Sequence, residues 1–139
     1  MEIPTDRHVH ETSLKVRFYE LDPYDHVNHT NYFGYFETAR IEYLQEMGFG
    51  LLEMKEQGWQ LVVVEAHARF LLAARYGDEL TIRTWVQETG RVKSEWRQSM
   101  ARGDEPVAQL TIVAAFTDLD GKPRRVPEEF ASHLETLKL

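Results

Sequence analysis

From Leu61 to Phe116 the chain alternates apolar and polar residues, interrupted only by short turn signals, and this pattern restricts the possible folds more than any other. Within Leu61–Leu72, Val62, Val64, Ala66, Ala68 and Phe70 share one side, and Val63, Glu65, His67 and Arg69 the other. Tyr76-Gly77-Asp78 reads as a turn. Leu80, Ile82 and Val86 then alternate with Thr81, Arg83 and Gln87, and Thr89-Gly90-Arg91 closes a hairpin. Val92, Trp96 and Met100 point inward opposite Lys93, Glu95, Arg97 and Ser99. After a second turn at Arg102–Pro106, a last run buries Ala108, Leu110, Ile112, Ala114 and Phe116. A side-chain period of two joined by tight turns describes long antiparallel strands.

One face of such a sheet needs a covering layer, and the sequence offers a helix for it. From about Tyr32 to Met47, Tyr32, Phe33, Phe36, Ala39, Tyr43, Leu44 and Met47 share one broad face, with Asn31 or Thr30 as cap and Gly48 as stop. Arg40 falls within that apolar face, and Glu37, three residues earlier, is its nearest candidate partner; the pair is read first as an ion pair that fixes the helix, with support of the site as the competing reading. Leu14, Val16 and Phe18 alternate with Ser13, Lys15, Arg17 and Tyr19 in a strand ahead of the helix. Leu51–Gln57 reads as a short second helix, and Pro127–Leu137 has the proline start and acidic first turn of a final one. The expected architecture is α+β: one domain over residues 1–139, with a long helix against an antiparallel sheet of five to six strands. The sheet's other face also carries apolar residues such as Val63, Leu71 and Trp85, so a partner subunit is expected to cover part of it or extend its edge.

A net charge of −7 argues against a nucleic-acid partner and against an anionic membrane surface. There is no cysteine, which removes disulfides, thiolate metal sites and cysteine nucleophiles. No signal-peptide core or membrane-length apolar run is present, so the expected location is the cytoplasm. His8 and His10 have no carboxylate at a defined spacing and are read as solvent-exposed; no metal is expected there.

Asp22-Pro23-Tyr24-Asp25-His26-Val27-Asn28-His29-Thr30-Asn31-Tyr32 gathers the groups able to do chemistry. It leads directly into the long helix, whose first N–H groups lack intrahelical partners and can hold a developing oxyanion. A carboxylate beside such donors is half of a hydrolytic site. Asp, Asn and His are also common helix-cap and turn residues, so structural roles compete with chemical ones here. No serine lies in a Gly-x-Ser-x-Gly elbow.

Asp22-Pro23, Asn31-Tyr32 and Phe36-Glu37-Thr38-Ala39-Arg40 resemble the signature of the hotdog-fold thioesterases related to 4-hydroxybenzoyl-CoA thioesterase. The similarity extends through Val62-Val63-Val64-Glu65-Ala66, Tyr76-Gly77-Asp78-Glu79-Leu80 and Asp120-Gly121-Lys122-Pro123-Arg124. His26-Val27-Asn28 is similar to acyl-carrier-protein thioesterases, whereas His29 falls where bacterial short-chain acyl-CoA thioesterases carry a histidine. Asp25 stands where many members have glycine. The resemblance implies that Asp22 attacks a thioester carbonyl or activates a water, and that the backbone N–H at position 29 polarises the carbonyl oxygen, with His26, Asn28 and His29 as further catalytic candidates. It also implies an acyl-CoA or acyl-carrier-protein substrate, no cofactor beyond the coenzyme A of the substrate, and a homodimer or homotetramer. Tyr32, Phe33 and Phe36 are candidates to line the acyl pocket, and Arg91, Lys93, Arg124 and Arg125 to hold the phosphates.

Two other classes compete. An enoyl-thioester hydratase or dehydratase on the same fold would carry an Asn-Pro-x-His segment, which is absent. A non-catalytic acyl-thioester binding module would bind without turnover.

Overall fold

The computed structural model describes residues 1–136. Their order is β1 (His10–Lys15), a 3-10 turn (Phe18–Glu20), α1 (His29–Glu46), α2 (Leu51–Glu56), β2 (Gln60–Phe70), β3 (Glu79–Thr89), β4 (Lys93–Arg102), β5 (Glu105–Thr117) and α3 (Glu128–Thr136). Leu137, the expected end of the last helix, lies outside the described residues. The five strands form one sheet in the order β1-β3-β4-β5-β2, antiparallel at every pairing, with β1 and β2 at the edges. No helix among the described residues is long and apolar enough to cross a membrane.

The sheet wraps α1. Tyr32, Tyr35, Phe36, Ala39, Tyr43 and Leu44 are buried against Leu80, Ile82, Trp96, Met100, Leu110 and Ile112. Burying each large side chain contributes about 1.5–3 kcal/mol, so this one helix face anchors most of the domain. Phe130 of α3 closes the far end, meeting Phe116, Phe49 and Trp96 at ring distances of 5.1, 5.7 and 6.1 Å. Gln98, a long polar side chain with no exposed surface in this core, is fully paired: its Nε2 donates to the Phe36 carbonyl and to Thr84 Oγ1, both at 2.9 Å.

Several expectations shift by a residue or a partner. α1 begins at His29 rather than Tyr32, because Asn28, not Asn31 or Thr30, is the cap: its Oδ1 accepts the Thr30 N–H at 3.0 Å. The first strand stops at Lys15. Glu20 takes the Arg17 N–H at 2.8 Å and folds the chain into the 3-10 turn, leaving Phe18 and Tyr19 72% and 68% exposed instead of alternating in a strand. Arg40 does not form an ion pair with Glu37; it donates to Gln98 Oε1 at 2.9 Å. Burial lowers the Arg40 pKa, and the Glu37 charge only partly offsets this.

Bulges break the strict alternation. Val63 lies opposite Ala114 and Glu65 opposite Val113, so Val64 is an extra residue that reverses the parity of β2. Ala66, Ala68 and Phe70 keep the expected helix-facing side; Val63 joins them, and Val62 turns away. A second bulge follows Val86 in β3. Trp85 needs no partner subunit to cover it: it is buried within the chain, and its indole N–H donates to Gln87 Oε1 at 3.0 Å. His10, expected at the surface, is buried against α1.

Candidate active site

The Asp22 segment is a tight hairpin set on the start of α1. Leu21 pairs with Val27, the Asp22 N–H donates to the His26 carbonyl at 2.7 Å, and the Asp25 N–H returns to the Asp22 carbonyl at 3.1 Å. Asp25 has φ +64, the left-handed conformation that closes such a loop. Aspartate tolerates it better than most residues, so the turn closes here without a glycine.

The Asp22 carboxylate is held by one oxygen. Oδ1 accepts the Tyr24 N–H at 2.8 Å and the His26 N–H at 3.2 Å, while no hydrogen bond among the described residues uses Oδ2. The side chain is half-buried, so one oxygen is fixed and the other is available to a substrate or water.

Two ties hold this hairpin against the body. The Glu20 carbonyl accepts the Asn28 N–H at 2.9 Å and Asn31 Nδ2 at 2.8 Å, locking the helix start to the strand-side arm. Ala74 serves the other arm: its carbonyl accepts the Val27 N–H at 2.8 Å and its N–H donates to the Tyr32 hydroxyl at 3.1 Å. The loop carrying Ala74 is itself anchored by Arg102, which donates to Asp78 at 2.7 Å and to the Ala73 carbonyl at 3.3 Å.

At the helix start the donors divide between structure and vacancy. Asn28 Oδ1 takes the Thr30 N–H and hydroxyl, and the Asn28 carbonyl takes the Asn31 N–H at 2.8 Å. The Asn28 side-chain oxygen is therefore committed to capping. No hydrogen bond among the described residues engages the His29 N–H. The His29 ring is exposed and lies edge-on to Phe70 at 6.4 Å; His26 is half-buried and pairs through its backbone with Arg75.

The three aromatic candidates separate. Phe36 is wholly buried core. Phe33 is 41% exposed and meets Phe70 at 6.3 Å, while buried Tyr32 meets the same ring at 5.3 Å. Phe70, on edge strand β2, therefore sits at the centre of an open aromatic cluster with His29, Tyr32 and Phe33; the sequence pattern placed it only in the strand. Burial pushes the Tyr32 phenol above its usual pKa, with smaller contributions from the Asp22 and Asp78 charges, against the Ala74 N–H and Arg102. Glu20 is a further residue the motif did not single out, although the Arg17-x-x-Glu20 spacing could have marked it. Burial and then the Glu20 carboxylate raise the Tyr35 phenol.

The basic candidates lie elsewhere on this chain. Arg91 and Arg125 line a cleft of about 850 Å³ shared with Arg7, His8 and Tyr43. Tyr43 is about 21 Å along the helix from His29 at 1.5 Å per residue, so the cleft opens near the opposite end of α1 from Asp22. Arg124 is stacked 5.3 Å over the Trp59 ring and donates to the Gly58 carbonyl, and Lys93 is solvent-exposed. Glu37 is exposed on α1 and half-buried Arg40 is bonded to Gln98, away from the hairpin.

Comparison with known proteins fits this geometry. Residues 16–134 match the thioesterase-like superfamily. An acyl-acyl carrier protein thioesterase of Arabidopsis thaliana chloroplasts, ATL3, is 29% identical over 88% of this chain, which spans 66% of that relative's length. An acyl-CoA thioesterase of Haemophilus influenzae is 28% identical over 90% of this chain and 93% of its own. The crystal structure of a hypothetical protein from Aquifex aeolicus superposes with a TM-score of 0.84 at 28% identity, covering 89% of this chain and 98% of that one. With a five-stranded sheet wrapped round α1 and a family match over most of its length, the chain belongs to the thioesterase-like superfamily of hotdog-fold thioester hydrolases.

Proposed function

We propose that the protein hydrolyses an acyl thioester of coenzyme A or of an acyl carrier protein, with Asp22 as nucleophile or general base. The observation that carries this reading is the Asp22 carboxylate, pinned through Oδ1 and free at Oδ2, immediately before a helix whose first N–H is unengaged. In the general-base form, Oδ2 takes a proton from water as the oxygen adds to the carbonyl carbon. The carbonyl oxygen becomes an oxyanion at the His29 N–H, and collapse breaks the C–S bond. The thiolate is a good leaving group and needs little proton assistance, so a triad is unnecessary. In the nucleophilic form, Oδ2 itself adds to the carbonyl, the thiolate leaves an acyl-aspartyl anhydride, and water then hydrolyses it.

The named activities of the plant and Haemophilus relatives support both kinds of thiol carrier. Phe33 and Phe70 offer apolar surface for the acyl group beside His29. The enzyme works as a homodimer or a dimer of such dimers. Edge strand β2 leaves Val62, Val63 and Val64 between 40% and 48% exposed, and a second copy adding its own β2 would bury them. Such pairing supports a composite site in which the partner's basic residues meet the thiol carrier.

The test is free-thiol release over a panel of acyl-CoA and acyl-carrier-protein substrates, native protein beside Asp22→Asn. Asparagine Oδ1 still accepts the Tyr24 and His26 N–H groups, so the fold should persist. Loss of at least about 100-fold in turnover at unchanged thermal stability is expected. Unchanged turnover in the variant would remove Asp22 from the mechanism.

A further inference from the structure

A second group of chemistry-bearing side chains meets near the other end of α1. His8 and His10 are two residues apart leading into β1, and Glu42 and Glu46 are four apart on α1, so each pair projects from one side of its segment. His10 Nδ1 lies 2.8 Å from Glu46 Oε2, and His8 Nε2 lies 3.9 Å from the same oxygen. One ligand atom from each of His8, His10 and Glu46 falls within 4.8 Å of the others. His10 is 8% exposed, and its ring is stacked on Tyr43 at 5.6 Å with planes 3° apart. Its Nε2 is buried and has no hydrogen-bond partner, standing 3.6 Å from Glu42 Oε2. Glu42 is in turn fixed by the Thr12 hydroxyl at 2.6 Å.

From this arrangement we infer that His8, His10 and Glu46 form a binding site for a divalent transition-metal ion of the zinc class, with Glu42 orienting His10 from behind. Two imidazole nitrogens, one carboxylate and no thiolate suit zinc and its neighbours rather than copper(I). Zinc bonds of about 2.0–2.1 Å place tetrahedral ligand atoms roughly 3.3 Å apart, between the two separations at Glu46. Glu46 and His8 are the more exposed members, able to make shifts of about 1 Å while His10 stays held by Tyr43. With Nδ1 on the metal, Nε2 carries the ring proton and faces Glu42, the carboxylate–histidine–metal relay that fixes tautomer and ring orientation. A hydrogen bond between His10 and Glu46 alone would not explain the convergence of His8 on the same oxygen. The fourth position is left to water. His8 also lines the cleft with Arg91 and Arg125, so the ion sits at its margin.

The experiment uses the full chain without a histidine tag, stripped with a chelator and titrated with zinc chloride by calorimetry, with cobalt(II) absorption as a second readout of coordination. One ion per chain at micromolar affinity or tighter is expected. His8→Ala and Glu46→Gln should each weaken binding by at least tenfold. Glu42→Gln should keep the stoichiometry but lose about 10- to 100-fold in affinity. His8 and Glu46 are exposed enough that their variants should fold, which circular dichroism checks. Absence of saturable binding overturns the assignment, as does binding that survives unchanged in both the His8 and Glu46 variants. Thioester turnover is not a readout, so this result stands apart from the role of Asp22.

Discussion

Arg40 Nη1 donates to Gln98 Oε1 at 2.9 Å across the interface between α1 and the sheet, joining a half-buried guanidinium to the polar centre of the core. Gln98 Nε2 spends its protons on the Phe36 carbonyl and Thr84, so all the amide's strong contacts are intramolecular. Gln98→Ala should cost about 3 kcal/mol, from a cavity plus the loss of a hydrogen bond to a charged donor. Arg40→Met removes the charge that needs pairing and should cost less. Urea denaturation midpoints of the two variants, taken with the native protein, check the order.

Asp25 predicts a different signature. At φ +64 a β-branched residue is strained, so Asp25→Val should destabilise by about 1–3 kcal/mol and reduce turnover by displacing Asp22. Asp25→Gly removes that strain and should retain both stability and activity. Thermal melts and thiol release, measured on both variants, separate loop geometry from any chemical role for the Asp25 carboxylate.

The Asp78 and Arg102 pair predicts acid sensitivity. Partial burial raises the Asp78 pKa, but hydrogen bonds from Arg102 and the Arg75 N–H, with their charges, outweigh it and hold the carboxyl below the usual aspartate value. A carboxyl lowered on folding contributes stability that is fully present above its unfolded pKa and disappears as pH falls through the folded value. The native protein should therefore lose stability below about pH 4, where unfolded aspartates begin to protonate. Asp78→Asn should flatten that acid limb while lowering stability at neutral pH, as read by denaturation midpoints from pH 2 to pH 7.

Edge strand β2 carries the assembly prediction. Val62→Lys with Val64→Lys places two charges on an exposed strand edge, a device that blocks strand addition. The doubly substituted chain should sediment as a monomer, fold normally, and lose at least tenfold in thiol release. A variant that stays dimeric would move the interface away from β2.

What could be read from sequence followed from local rules. The strands of the meander and the α1 face rest on periodicity, and the Asp22 segment stands out because its residue types cluster beside a helix start. The misreadings have equally physical causes. One inserted residue at Val64 changes parity, and nothing in three consecutive valines marks which is extra. Asn28, Thr30 and Asn31 are all good caps, so composition could not choose among them. Arg40 finds Gln98 58 positions away and His10 finds Glu46 36 away, pairings that exist only once strand and helix are packed. His8 and His10 looked solvated because their carboxylates arrive from another element.

Ala74 gives the hairpin a remote adjustment screw. Both polar groups of this one residue grip the Asp22 segment, one through Val27 and one through the Tyr32 hydroxyl, yet its side chain is a methyl group with no chemistry. Lengthening or shortening the loop from Leu71 to Gly77 would tilt Asp22 relative to the helix start without altering any residue of the hairpin itself. Changes in acyl preference or rate could thus arise from insertions far along the chain, and a comparison confined to the motif itself would not detect them.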